Sequence, residues 1–162
     1  MVRLSNKSAD AGAAERQEII ALDTSAIIAL LCGWHEQHNH IESYLEKRLD
    51  AGAALVVPAP ALIEAYSVMT RLPGSQRIAP QNALELLQTN FRELARVVAL
   101  TAADYWTLLD GAPASQIYGG HTYDAVIMAC ARKADANTLL TFNPKHFLPL
   151  SDGAIRVLSV LI

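Results

Sequence analysis

The sequence predicts an α/β domain with a mainly parallel central sheet that helices cover on both faces. Short apolar runs of the kind found in buried strands alternate along the chain with segments whose apolar residues recur at helical spacing. Strands that alternate with helices in this way form βαβ units. The chain has 162 residues, the length of one domain, and 52% of them are hydrophobic, which argues against disorder. We therefore expect a single domain over residues 19–162, preceded by a flexible extension over residues 1–18.

Five apolar runs predict the strands of the sheet. The first run is Ile-Ile-Ala-Leu, and Asp23 ends it. The second is Leu-Val-Val, and Pro58 ends it because proline has no N–H to donate to a strand ladder. The last run is expected to be an edge strand. The predicted strands cover residues 19–22, 55–57, 96–100, 138–141 and 155–158.

Apolar spacing and capping residues predict the helices between these strands. The Asp-Thr-Ser sequence at residues 23–25 can cap a helix that begins near Ala26. Thr101, with Asp104 three residues later, has the spacing of a capping box. Asn-Pro at residues 143–144 is typical of the start of a short helical turn. The remaining predicted helices cover residues 35–49, 61–72, 81–94 and 122–134, and a loop rich in Gly, Pro and Ser covers residues 111–120.

Composition limits the classes of function. The formal net charge of −3 argues mildly against tight nonspecific RNA binding. It does not exclude a nuclease, because carboxylates that hold a metal ion also make a protein acidic. The two cysteines, Cys32 and Cys130, lie in apolar runs and are expected to be buried, reduced thiols, which fits the cytoplasm. Charged residues and prolines interrupt the apolar runs, so we expect neither a membrane span nor a secretory signal.

Four polar side chains are predicted at one edge of the sheet. Asp23 directly follows the first strand, Asn143 follows the fourth, Asp124 lies in the first turn of the helix before the fourth strand, and Glu64 lies in the helix after the second. They converge at the carboxyl edge, where α/β proteins place their working sites, if residues 19–22 and 138–141 form neighbouring strands. Carboxylates brought together need a cation among them, and oxygen ligands suit Mg²⁺ or Mn²⁺. Such a site would serve phosphodiester hydrolysis best.

Each of the four residues also has a purely structural explanation. Asp23 and Asn143 can cap the helices that come after them. Asp124 is favourable near a helix N-terminus because of the helix dipole. Glu64 lies on a polar helical face that can simply be solvated. Only their shared placement favours the metal site.

Four segments resemble, in order, the motifs of the PIN-domain family. The resemblance extends from about residue 19 to residue 158. It implies a three-layer α/β/α sandwich and the Mg²⁺- or Mn²⁺-dependent RNA cleavage of VapC-like toxins. Such toxins commonly form homodimers, and a cognate VapB-like antitoxin that wraps the toxin and blocks the acidic pocket holds them inactive. The segments are residues 22–26 (Leu-Asp-Thr-Ser-Ala), 60–66 (Pro-Ala-Leu-Ile-Glu-Ala-Tyr), 119–125 (Gly-Gly-His-Thr-Tyr-Asp-Ala) and 140–147 (Leu-Thr-Phe-Asn-Pro-Lys-His-Phe).

The resemblance also assigns roles to the acidic residues. Asp23, Glu64 and Asp124 would be the metal ligands, directly or through water. Asn143 stands where the family most often has aspartate, although asparagine also occurs there in VapC-like sequences. Its carbonyl oxygen can still bind metal or position water, but one negative charge is lost. A second metal ion should then bind more weakly, so both one-metal and two-metal modes remain open.

Residues that would face the substrate are predicted beside these acids. Thr24 or Ser25 would help to orient a metal-bound water. Cationic and histidine side chains near the ends of the flanking segments could hold phosphates, although ordinary surface charge explains each of them as well. These side chains are Arg71, Arg77, His121, Lys145 and His146. The tryptophans Trp34 and Trp106 could stack on bases, but their helical spacing favours the core.

Three other functions compete with the nuclease. A weakened PIN-type module that binds RNA or protein without cutting remains open, and Asn143 and the acidic net charge both favour it slightly. A phosphatase of the haloacid-dehalogenase kind needs a second acid two residues after the first, where this chain has Ser25. A dinucleotide-binding enzyme needs a Gly-rich turn after its first strand, and none is present.

Overall fold

The computed structural model describes residues 17–160, and within them the strands form one parallel sheet. The strand order is β3-β2-β1-β4-β5, and all the strand pairings are parallel. The α/β class with a mainly parallel sheet is therefore confirmed. The strands are β1 (Ile19–Leu22), β2 (Ala54–Pro58), β3 (Ala95–Val98), β4 (Thr138–Leu140) and β5 (Arg156–Leu158).

The predicted flexible extension stays a prediction, because residues 1–16 lie outside the described residues. The first two described residues are hydrogen-bonded to the domain. The side-chain amide of Gln17 donates to the carbonyl of Gly52 (3.1 Å), and the carbonyl of Glu18 accepts from the N–H of Ala54 (2.8 Å).

Seven α-helices connect these strands in the described part of the chain. They lie close to the predicted positions, with shifts of a few residues at their ends. The first helix, for example, begins at Thr24 because Asp23 is its N-cap. Two single turns of 3₁₀ helix also occur, at Gly74–Gln76 and at Leu148–Leu150. The helices are α1 (Thr24–Leu31), α2 (His38–Asp50), α3 (Ala59–Arg71), α4 (Pro80–Phe91), α5 (Ala102–Gly111), α6 (His121–Lys133) and α7 (Pro144–Phe147).

The strand order places helices on both faces of the sheet. From β1 the chain moves outward through β2 to β3, and it then crosses back past β1 to β4 and β5. Because parallel crossovers are right-handed, reversing the direction of travel moves the connecting helices to the opposite face. Helices α1 to α4 thus cover one face, and α5 and α6 cover the other, which gives the predicted three layers.

The core lies around β1 and the helix that comes after it. Ile20, Ala21 and Leu22 of β1 are completely buried, and α1 is apolar on every side, with six buried residues. A helix that is apolar all round belongs in the interior, so α1 sits under α2 and α3. The site end of β1 is consequently anchored in the most rigid part of the domain.

The pairing of β1 with β4 decides where the functional residues meet. Leu22 is in register with Leu140, and the backbone N–H of Asp23 donates to the carbonyl of Leu140 (3.1 Å). The sequence could only assume that these strands are neighbours, and the structure confirms it. The residues directly after β1 and β4 therefore leave the sheet side by side.

The prediction that both tryptophans lie in the core is wrong. Trp34 is 45% exposed and Trp106 is 67% exposed. Trp34 lies in the turn after α1, and Trp106 lies in α5, which has no buried residue. Helical spacing identifies an apolar face but does not tell whether another element covers that face.

The cysteine prediction is confirmed. Cys32 and Cys130 are buried and form no disulfide. Burial raises the pKa of the Cys32 thiol to about 11, so this thiol stays protonated and unreactive.

Within the described residues, every helix is too short or too polar to cross a membrane.

Candidate functional site

Asp23 forms the centre of the site at the carboxyl end of β1. It is only 3% exposed. Its extended backbone (φ −81°, ψ 176°) makes it the N-cap of α1, and its Oδ1 accepts a hydrogen bond from the N–H of Ala26 at 2.8 Å. The capping explanation is therefore correct for this residue. It does not exclude a second role, because a carboxylate has roughly four acceptor positions.

Two hydroxyl groups hold the carboxylate of Asp23 from the other side. The Ser25 Oγ lies 2.8 and 3.0 Å from the two carboxylate oxygens, and the Thr141 Oγ1 donates to Oδ2 at 2.8 Å. Each hydroxyl also accepts a backbone N–H from the segment after β4. Phe142 donates to Ser25 (2.8 Å), and Asn143 donates to Thr141 (2.9 Å). This network joins the start of α1 to the end of β4.

The pKa of Asp23 is raised from 3.8 to about 6. Removal from water is the largest cause, since burial disfavours the charged form. The hydrogen bonds from Ala26, Thr141 and Ser25 lower the pKa, and the negative charge of Asp124 raises it again. Asp124 is therefore close enough for the two carboxylates to repel each other.

Asp124 lies in the first turn of α6, with two histidine rings beside it. The Nδ1 of His121, three residues earlier in the chain, lies 3.3 Å from the Asp124 Oδ2. The Nδ1 of His146, in α7, lies 3.5 Å from the same oxygen. Because α7 comes soon after the end of β4, this contact links the start of α6 to the segment that carries Asn143.

Glu64 reaches the site through Thr24. The Thr24 hydroxyl, on the first residue of α1, donates to the Glu64 Oε2 at 2.6 Å. Helices α1 and α3 pack together, which brings the middle of α3 beside the cap of α1. Glu64 is exposed. The residue that binds Glu64 is thus the immediate neighbour of Asp23.

Asn143 occupies the N-cap position of α7, but its side chain forms no capping hydrogen bond. It is exposed, and its own backbone N–H, like that of Phe142, donates to a hydroxyl of the Asp23 network. A purely capping role therefore does not account for its amide group. We name the set of Asp23, Glu64, Asp124 and Asn143 the acidic edge.

In the described part of the chain, lysine and arginine do not neutralise the acidic edge. Within residues 17–160, no lysine or arginine forms an ion pair with Asp23, Glu64 or Asp124. The described part of the chain also has no three His, Cys, Asp or Glu side chains placed to hold one metal ion as they stand. Each carboxylate faces a different donor instead. The predicted meeting of Asp23, Glu64 and Asp124 at one metal ion therefore stays a prediction.

The other predicted site residues divide into two groups. The hydroxyls of Thr24 and Ser25 both donate to acidic side chains of the protein, so they position those acids. Arg71 and Lys145 are exposed, and Arg71 lies two helical turns beyond Glu64, about 10 Å along α3. Arg77 donates to the carbonyl of Leu72 and holds its own loop.

Sequence reasoning missed Thr141. Its apolar neighbours place it in the predicted fourth strand, but it is the first residue after β4 and is buried, with 1% of its surface exposed. A hydroxyl at the end of a buried apolar strand, two residues before Asn143, was the available indication. Without the strand order, nothing in the sequence connected it to Asp23.

The sequence matches a known family and resembles a named ribonuclease. The model of the PIN domain family matches residues 20–148, a range that includes all four residues of the acidic edge. Ribonuclease VapC40 of Mycobacterium tuberculosis is 35% identical to this chain over 125 residues, which cover 75% of this chain and 84% of that relative.

Solved structures share the fold at low sequence identity. VapC20 of Mycobacterium tuberculosis, a toxin that cleaves the sarcin–ricin loop, superposes with a TM-score of 0.60 at 19% identity and covers 80% of this chain and 93% of its own. VapBC2 of Rickettsia felis, solved with a DNA fragment from its promoter, gives 0.61 at 17% identity and covers 87% and 98%. The three-layer sandwich is therefore a known arrangement.

Replacing Asp23 by asparagine should stabilise the metal-free protein at neutral pH. The folded protein favours the protonated carboxyl of Asp23, because its pKa rises from 3.8 to about 6 on folding. The free energy of unfolding is therefore highest below pH 3.8, and this contribution is lost as the pH rises through about 6. Asp23→Asn removes this loss, because asparagine does not ionise. Two pKa units correspond to about 3 kcal/mol, so the variant should gain free energy of unfolding of that order at about pH 7. Urea titrations in chelator at several pH values measure the difference.

The control for this experiment is Asp110→Asn, on the exposed surface of α5, which reports the general effect of removing one negative charge. The stability gain of Asp23→Asn should grow from about pH 4 to about pH 6 and then level off. A gain that does not change over this range would mean that Asp23 ionises like an exposed carboxyl.

Proposed function

This chain belongs to the PIN domain family, and we propose that it is a metal-dependent endoribonuclease that acts as the toxin of a toxin–antitoxin pair. One observation carries the proposal. Asp23 ends β1, Glu64 accepts a hydrogen bond from its neighbour Thr24, and Asp124 raises the pKa of Asp23. Within residues 17–160 none of these three acids forms an ion pair with lysine or arginine. Because these carboxylates have no ion pair with lysine or arginine, a bound divalent cation would neutralise their negative charge.

The residues fit Mg²⁺ or Mn²⁺. The metal ligands that the acidic edge offers are carboxylate oxygens and the amide oxygen of Asn143. Hard divalent cations prefer such oxygen ligands. Asp23 is fixed by three donors, yet a carboxylate with roughly four acceptor positions keeps one for a metal ion. A cation there would also relieve the repulsion between Asp23 and Asp124.

We assign Asp23, Glu64 and Asp124 as the groups that hold the metal, directly or through water. A metal ion bound there lowers the pKa of its water and stabilises charge on the phosphodiester. Ser25 and Thr141 keep the Asp23 carboxylate in a fixed orientation. Thr24 does the same for Glu64.

The histidines and cations around the edge complete the proposed site. His121 and His146 flank the Asp124 carboxylate and can orient it. Arg71 and Lys145 are exposed and can meet RNA phosphates. Asn143 lacks the charge of an aspartate, which supports a site that holds one metal ion firmly and a second one weakly.

The partners belong to the same proposal. We expect a VapB-like antitoxin that covers the acidic edge, and Ile63, 71% exposed beside Glu64, offers such a partner an apolar contact. We also expect a homodimer that acts on RNA in the cytoplasm, where the free thiols of Cys32 and Cys130 would stay reduced.

One observation favours a second function, a PIN-fold module that binds RNA or protein without cutting it. No three ligands stand ready around one point in residues 17–160, and Asn143 reduces the charge further. An RNA cleavage assay separates this module from the nuclease.

The purified protein, freed from any antitoxin, should cleave single-stranded RNA only when Mg²⁺ or Mn²⁺ is present. Asp23→Ala, Glu64→Ala and Asp124→Ala should each reduce the rate at least about a hundredfold, because each removes a group that holds charge in the transition state. Rates are measured on end-labelled RNA, and circular dichroism checks that each variant is folded.

The matched control is Glu93→Ala. Glu93 is exposed and lies between α4 and β3, at the opposite edge of the sheet from the site, so its loss should leave the rate unchanged. Wild-type rates in any of the three site variants would remove that residue from the proposed site. A wild-type protein that binds RNA but leaves it intact in both metals would support the binding module.

Asn143→Asp should tighten metal binding. The substitution restores a full negative charge at the acidic edge, and ligand charge sets much of the affinity for hard cations. We expect the dissociation constant for Mn²⁺ to fall several-fold in calorimetry, with Asn143→Ala moving it the other way. If all three proteins bind Mn²⁺ equally, Asn143 takes no part in the metal site.

A further inference from the structure

Two tyrosines that lie within six residues of Asp124 in the sequence are largely exposed. Tyr118 is 78% exposed and Tyr123 is 75% exposed, the highest values among the large hydrophobic side chains of residues 17–160. The sequence pattern singles out neither of them. An exposed ring of this size places apolar surface in water, which is unfavourable unless a ligand or partner covers it.

The exposure of Tyr123 results from its position along α6. Ile127, Cys130 and Ala134 come after it at intervals of four, three and four residues, on one helical face, and all three are buried. Helix α6 packs on β2, β3 and α3. Tyr123 continues the buried face by one turn toward the N-terminus of the helix. Because the last turn of α6 leads into the start of β4, its first turn lies at the carboxyl edge of the sheet.

The same turn of α6 carries part of the acidic edge. Asp124 is the next residue, and His121, two residues before Tyr123, contacts Asp124. The helix α3, which carries Glu64, packs against α6. Tyr123 is therefore the chain neighbour of Asp124, in the first turn of a helix that packs against the helix of Glu64.

The segment before α6 holds Tyr118 in a defined place. The N–H of Ile117 donates to the carbonyl of Ala112 at 2.9 Å, and the N–H of Thr122 donates to that of Gly119 at 3.2 Å. Gly119 has φ +57°, a conformation that glycine adopts without strain. Tyr118 lies between these two hydrogen-bonded turns, so binding at this residue would cost little conformational entropy of the backbone.

We propose that Tyr123 stacks on an unpaired base of the RNA next to the phosphodiester that is cut. This inference rests on the proposed nuclease function. The chain carries a net charge of −3, so attraction to the phosphate backbone is weak and affinity must come from elsewhere. Aromatic rings stack on any base, and unpaired bases can be splayed onto them. A neutral ring adds this affinity without competing with the carboxylates for the metal.

Steady-state cleavage of a short single-stranded RNA with Mg²⁺ tests the proposal. Tyr123→Ala should raise KM about tenfold, within the range found for base–aromatic stacking, and leave kcat within about twofold. Tyr123→Phe keeps the ring and should recover most of the lost affinity. Tyr105→Ala is the matched control, a tyrosine that is 40% exposed on α5, and it should behave as wild type.

A second arm identifies the base. RNAs in which one base at a time near the cut is replaced by an abasic residue are compared on wild type and on Tyr123→Ala. Removing the stacked base should raise the KM of wild type by about the same factor as the tyrosine substitution, and it should add nothing further in the variant. If the abasic residue raises the KM by the same factor in wild type and in Tyr123→Ala at every position, the two changes act independently and the stacking proposal is wrong.

The remaining outcomes are also decisive. If wild type cleaves RNA and Tyr123→Ala has an unchanged KM, the stacking proposal is wrong and the nuclease stands. If wild type cleaves no RNA, both are wrong. If the KM is unchanged and light scattering shows that Tyr123→Ala has lost a subunit, the ring belongs to a contact between copies of the chain, which also overturns the proposal.

Discussion

A carboxylate buried at the end of a central strand must be given hydrogen-bond donors, and the donors that Asp23 receives organise the whole site. One comes from the start of α1, and the others come from Ser25 and from Thr141 after β4. Ser25 and Thr141 also accept the backbone N–H groups of Phe142 and Asn143, so the two hydroxyls fix both the start of α1 and the segment after β4. Removing either hydroxyl would leave a polar group of this network without its partner, which is costly.

The other two acids are held less tightly. Glu64 is exposed and depends on Thr24, and Asp124 depends on two histidines that approach from α6 and α7. Asp23 is thus buried, whereas Glu64 is exposed and Asp124 is partly exposed. In the proposed function, a bound cation would supply the attraction that draws Glu64 and Asp124 toward Asp23.

Much of this could be predicted from the sequence, and the exceptions have a common cause. The positions of Asp23, Glu64, Asp124 and Asn143 near the strand ends could be predicted, because the strands can be recognised from local apolar runs and a parallel sheet brings the residues after its strands to one edge. The role of these residues in a metal site stays a prediction. Thr141, the contact of His146 with Asp124 and the exposure of Trp106 could not be found. Each depends on which segments meet in space, and the spacing of apolar residues along one helix or strand carries no information about its neighbours.

If Asp23, Glu64 and Asp124 share one divalent cation, crystals grown with Mn²⁺ reveal it most directly. Anomalous scattering from manganese locates the ion without assumptions about its ligands. We predict a peak between the Asp23 and Asp124 carboxylates, with Glu64 bound directly or through one water, and no peak there in Asp23→Asn crystals. A map with no manganese at this place, or with manganese bound elsewhere and unaffected by Asp23→Asn, would contradict the shared site.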